Sequence, residues 1–119
     1  MTDTFNFENL KVYQKAICFT KIVYDISAKF PKEEKFVITD QFRRAAISIS
    51  LNIAEGYGAS DPEFKRYLRI AKGSIRECVA LTALARLHKY IDTSQENELR
   101  SYCLELAKML SGLINSLKR

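Results

Sequence analysis

Leu99, Cys103, Leu106, Leu110, Leu113 and Leu117 recur at alternating spacings of four and three. That rhythm sets six apolar side chains on one stripe of an α-helix, and such a stripe must be buried against other helices. Three more periodic segments supply them, and no strand pattern competes. The first covers residues 7–29 and stops before Phe30-Pro31, because proline pushes the residue before it out of the helical region. It carries two adjacent stripes, Leu10, Tyr13, Ile17 and Tyr24 beside Val12, Ala16, Phe19, Val23 and Ile26. The second covers 39–56, with Thr39 or Asp40 as the expected N-cap and Gly56 and Gly58 closing it. The third covers 61–90. Ser60 followed by Glu63 is a capping pattern, and Pro62 is tolerated in a first turn. Phe64, Leu68, Ala71, Ile75, Cys78, Thr82 and Ala85 fall on one line of it. The fourth covers 94–117. Short connections between such helices predict an all-α fold, an antiparallel up-down-up-down four-helix bundle forming a single domain over 1–119. The longest connector, 31–38, has room for a short turn of helix.

Composition bounds the class. With 119 residues, 47% apolar and 28% charged, the chain fits one small soluble domain. No run approaches the roughly 20 apolar residues of a membrane span, and the first residues lack the basic and apolar regions of a leader. The three cysteines, Cys18, Cys78 and Cys103, have no metal-ligand spacing and lie on or beside apolar stripes. They read as buried free thiols of a cytoplasmic protein. A net charge of +5 permits a nucleic-acid partner without requiring one.

The second helix is unusual on a helical wheel. Gln41, Ala45, Ser48, Asn52 and Glu55 gather within about 40° of one another's mean direction. Phe42, Ala46, Ile49 and Ile53 form one apolar face, and Ile47, Leu51 and Ala54 another. A polar seam of Gln41, Ser48, Asn52 and Glu55 thus separates two apolar faces. One face belongs to the core. The second predicts a subunit interface through Ile47, Leu51 and Ala54, and hence a homo-oligomer; cover by the first helix or a connector is the alternative. Glu55, in the last turn, opposes the helix dipole and calls for a partner such as Lys65, Arg66 or the start of the third helix. A hairpin about residues 56–60 would set Asn52 near Phe64 and Leu68, and Ser48 near Leu68 and Arg69.

Catalytic chemistry finds little support. A di-metal bundle site needs Glu-x-x-His motifs, and the one histidine, His88, has no Glu three residues before it. His88 reads as a helix-end or interface residue. No triad context and no phosphate loop occur. The expectation is a non-enzyme with no metal and no cofactor.

The third helix carries more. Lys65, Arg69, Lys72 and Arg76 lie within a sector of about 60°, with Arg66 about a quarter turn away. Asp61, Glu63 and Glu77 lie outside that sector. Such a cationic ridge is either a solvated face or a phosphate-binding surface. Without a base-reading motif, binding through it would follow shape and backbone.

Longer motifs carry a resemblance. F-x-x-L-x-V-Y-x-x-A at 7–16, F-P-x-x-E-x-F at 30–36, Q-F-R-R-A-A-x-S-I-x-x-N-I-A-E-G at 41–56 and E-F-x-R-Y-L-x-I-A-x-G-S at 63–74 together span most of the chain. They resemble the four-helix-bundle family that includes proteins encoded in intervening sequences of bacterial 23S rRNA genes. The resemblance implies a small cytosolic bundle assembled as a cyclic homopentamer, with no catalytic residues to carry over. A distantly similar bundle, the accessory protein of diversity-generating retroelements, binds reverse transcriptase and nucleic acid through a basic surface. The leading expectation is therefore an oligomeric bundle binding RNA or an RNA–protein complex through Lys65, Arg66, Arg69, Lys72 and Arg76. An oligomeric protein–protein adaptor is the alternative.

Overall fold

A computed structural model describes residues 4–117. Among them are four α-helices, α1 (Lys11–Ser27), α2 (Ile38–Gly56), α3 (Asp61–Leu87) and α4 (Thr93–Ser116), two short 3₁₀ turns (Asn6–Asn9 and Lys32–Glu34), and no strand.

One apolar cluster joins all four helices. Val12, Ala16, Phe19 and Val23 come from α1, and Phe42, Ala45, Ala46, Ile49 and Ile53 from α2. Phe64, Leu68, Ala71, Ile75, Cys78, Leu81 and Ala85 come from α3, and Leu99, Cys103, Leu106 and Leu110 from α4. The lines expected on the third and fourth helices are thus the core lines, with Leu113 and Leu117 half-buried at the end of α4. On α1 only one of the two stripes is core: Ile17 and Tyr24 are exposed. Polar contacts link helices along their lengths. Thr20 Oγ1 on α1 donates to the Ala46 carbonyl of α2 at 3.3 Å. Lys15 of α1 pairs with Glu105 of α4 at 3.0 Å and lies over the Tyr102 ring.

Several expected boundaries shift, each for a local reason. The first helix does not start at residue 7. Glu8 accepts the Phe5 N–H at 2.8 Å and its carbonyl accepts from the Gln14 amide, which closes a separate turn before an extended Leu10. At its other end, hydrogen bonds from Lys29 to Ile26 and from Phe30 to Ser27 tighten the chain into a turn after Ser27. The N-cap of α2 is Val37, with no side-chain cap; Thr39 is buried, and Asp40 instead pairs with Arg44 at 2.9 Å. Ser60 caps α3 as expected, accepting the Glu63 N–H. Three residues from the expected end, α3 closes at Leu87 with His88 as C-cap. Lys89 then takes φ +63°, and the Tyr90 N–H reaches the Ala85 carbonyl at 2.9 Å, a Schellman closure built on a lysine. His88, exposed at this helix end, stacks on Tyr90. Asp92 and Gln95 form a reciprocal capping box that starts α4 at Thr93.

Cys18 corrects the thiol expectation. Cys78 and Cys103 are buried, but Cys18 is exposed. It lies about 130° around α1 from the Ala16–Phe19–Val23 stripe, so the core cannot reach it.

Candidate nucleic-acid interface

The cationic residues of α3 do not all converge. Arg69, Lys72 and Arg76 lie one turn apart and line an open cleft of about 400 Å³ between α3 and α4, completed by Ser111, Ile114 and Asn115. Lys72 is half-buried at this seam and donates to Ser111 Oγ at 2.9 Å. Arg69 and Arg76 are exposed. Among the described residues, no acidic side chain lines the cleft. Among the described residues, Lys65, Arg69, Lys72 and Arg76 take part in no salt bridge. A concentration of unneutralised cations in a concave site is the electrostatic arrangement that attracts a polyanion.

Lys65 and Arg66 stand apart from this cleft. Lys65 is half-buried one turn before it. Arg66 turns to its own helix, with Nε 2.8 Å from Glu63 and the guanidinium over the Tyr67 ring. The Glu63 hydrogen bond and charge hold the Arg66 pKa above its ordinary value. Sequence reading of α3 alone missed Ser111 and Asn115. Their spacing of four beside Leu110 and Ile114 on α4 was the available signal, and only the packing of α4 on α3 brings them to the ridge.

The polar seam of α2 faces α3. Ser74 Oγ donates to Ser48 Oγ at 2.9 Å, and Asn52 Nδ2 donates to the same oxygen at 3.0 Å and to the Ser48 carbonyl at 2.8 Å. Gln41 Nε2 donates to the Glu77 carboxylate. Glu55 is left out: it is exposed, and no hydrogen bond or ion pair holds it among the described residues. The hairpin register also differs from expectation, since Ser48 meets Ser74 rather than Leu68 or Arg69. The reason lies at the turn. Tyr57 is extended and Gly58 has φ +87°, so the link carries the chain past the end of α2 before α3 begins. Gly56 consequently abuts the second turn of α3, where a Cβ would stand 2.7 Å from Tyr67 Cβ.

Of the apolar trio on α2, Ile47 and Ala54 are half-buried and Leu51 is 61% exposed. Ser50, from the sector between the two apolar faces, is buried and donates to the Ile47 carbonyl. A second apolar exposure is larger. Phe36, 83% exposed, joins Val37, Gln41, Leu81 and Leu84 around a cleft of about 320 Å³ beside the start of α2.

These features define a class: a small all-helical protein whose most distinctive surface is a cationic interhelical cleft. Residues 8–112 match the family model of the 23S rRNA-intervening sequence proteins, and the chain belongs to that family. A crystal structure of a protein of unknown function from the S23 ribosomal protein family of Bacteroides thetaiotaomicron is similar, with a TM-score of 0.81 and 26% identity. That similarity covers 88% of this chain and 99% of the other. No curated protein matches. Among the described residues, no helix is long and apolar enough to cross a membrane.

Proposed function

We propose that this chain is a non-enzymatic, cytoplasmic, oligomeric bundle that binds nucleic acid, RNA or an RNA–protein complex, through the ridge of α3. The observation that carries the reading is the cleft that gathers Arg69, Lys72 and Arg76 with no acidic side chain among the described residues lining it. An antiparallel up-down-up-down path is supported by the contacts of Gln41 with Glu77, Ser48 with Ser74, Lys72 with Ser111 and Arg86 with Thr93. In each pair of helices, residues later in one meet residues earlier in the next. Oligomerisation, a pentamer by family resemblance, is supported by the exposure of Leu51 beside Ile47 and Ala54. Weak phosphate contacts from one subunit gain avidity when repeated around a ring.

The test is binding of structured RNA and duplex DNA across a salt series. Each phosphate contact contributes roughly 0.9 to the slope of log affinity against log salt for a duplex. Changing Lys65, Arg69, Lys72 and Arg76 together to Glu is expected to abolish binding. Unchanged affinity refutes the surface, and absence of binding at low salt refutes the function. Light scattering measures the oligomer, and a monomer at micromolar concentration contradicts the interface.

The apolar cleft at Phe36, Val37 and Leu84 favours a second reading, an adaptor that presents several copies of one face to a protein partner. A partner retained in a pull-down after nuclease treatment supports it.

A further inference from the structure

The cationic cleft does not end at Arg76. On the far side of that residue a second hollow, of about 220 Å³, continues along the same α3–α4 groove. Its walls are apolar: Ile75, Val79, Cys103, Leu104 and Ala107, with Arg76 and Arg100 at its edges. Leu104 is 65% exposed, a large apolar side chain left open to solvent beside a concentration of positive charge. The two hollows share Arg76 and differ in character, one lined mainly by cations and hydroxyl or amide donors beside Ile114, the other mainly by hydrocarbon with Arg100 at its edge.

We propose that this groove seats an unpaired nucleotide, with its phosphate against Arg69, Lys72 and Ser111 and its base in the apolar hollow beyond Arg76. The inference rests on the nucleic-acid reading above and specifies which form of nucleic acid the site selects. Spacing supports it. From Lys72 to the middle of the apolar hollow is about five residues of α3, or roughly 7.5 Å along the helix axis. That is the scale of one nucleotide from phosphate to base. Chemistry supports it too. A base splayed from its stack offers a flat apolar face, which proteins cover with hydrocarbon, aromatic rings or a guanidinium plane. Arg76, at the border of both hollows, has the charge for the phosphate and the plane for the base. A duplex cannot use the second hollow. Packed helices lie about 8–10 Å apart, so the groove between them admits a strand and not a double helix. A duplex would rest on the ridge and keep its bases stacked inside.

The experiment compares fluorescence anisotropy of the full-length protein with three ligands at low salt. These are a single-stranded RNA, the same sequence annealed as a duplex, and a sugar–phosphate strand of equal length lacking bases. Leu104→Ser is the main variant, since it removes hydrocarbon without adding charge and its exposure leaves the core intact; circular dichroism confirms helicity. It is expected to weaken the single strand about tenfold, the scale of one apolar side chain's lost burial, and to leave duplex affinity unchanged. Wild type should bind the baseless strand as weakly as the variant binds RNA, and the variant should no longer distinguish the two. Arg76→Lys, which keeps charge and removes the plane, should weaken the single strand and preserve its salt slope. If Leu104→Ser and removal of the bases change nothing while Arg69→Glu still abolishes binding, the nucleotide site is wrong and the nucleic-acid reading stands. If no ligand binds at low salt, both fall.

Discussion

Replacing Gly56 with alanine should destabilise this protein, although the same change in a helix normally does the opposite. Gly56 is the last residue of α2, with no left-handed backbone to protect. Conformational entropy alone would therefore favour alanine, by roughly 0.5–1 kcal/mol in a helix interior and less at its end. Against this stands the approach of α3. The new Cβ would lie 2.7 Å from Tyr67 Cβ and 3.0 Å from Phe64 Cδ1. The nearer atom is fixed to the α3 backbone, so no flexible tip can yield; the two helices must separate. Overpacking of this kind costs about 1–3 kcal/mol. The net expectation is a loss of about 1–2 kcal/mol. Gly112 is the control. It lies within α4, and a Cβ there meets nothing within 4 Å. Gly112→Ala should gain about 0.5–1 kcal/mol. Urea denaturation followed by circular dichroism, at one protein concentration, measures both. A Gly56→Ala variant as stable as wild type or more so would refute the close-approach argument, whatever the control does.

Three further outcomes are expected. Lys89→Gly should stabilise the chain by about 0.5–1 kcal/mol, because Lys89 occupies a left-handed conformation that costs a side chain roughly 1–2 kcal/mol and glycine gives back part of that in unfolded-state entropy; the urea midpoint measures it. Asp92→Ala should cost about 1 kcal/mol, since it opens the capping box of α4, with the loss read as a lower thermal midpoint. For the thiols, burial pushes Cys78 up and holds Cys103 up to about 12 from an ordinary 9.0, while Cys18 is exposed. One thiol per native chain should react with a disulfide reagent near pH 8, and three after unfolding. The sign of the pH effect follows from linkage. Above pH 9 the unfolded chain loses thiol protons that the folded chain retains, so stability present below pH 9 declines as pH rises toward 12. Denaturation midpoints that rise over this window would contradict the burial of both thiols.

The core lines were legible because they are long and strictly periodic. Phe64 to Ala85 and Leu99 to Leu117 each repeat over several turns, and a stripe of that length has no other use in water. Boundaries were less legible where a single interaction decides them. Nothing in the spacing of Phe7 announces that Glu8 will close a turn on Phe5, and a lysine at the left-handed position after α3 violates the usual preference for glycine. The wheel placed Cys18 beside an apolar stripe without showing which of two adjacent stripes would face inward. The ridge was visible as Lys65 to Arg76, but a wheel describes one helix. It could not separate Lys72, bonded across to Ser111, from Arg66, paired within its own turn. Nor could it show the hollow at Leu104, because a groove is a property of two helices and its residues are scattered between 75 and 107.

The pairing of α1 with α4 has a mechanical consequence. The other interhelical contacts join helices that follow one another in the chain, whereas Lys15 with Glu105 and Phe19 with Tyr102 bring its two extremes together. That seam closes the longest loop, so it bears the largest closure entropy and rests on the fewest neighbours in sequence. Tension applied at the two ends loads it first, peeling α1 from α4 while the hairpin of α2 and α3, bolted at Ser48–Ser74 and Gly56–Tyr67, stays shut.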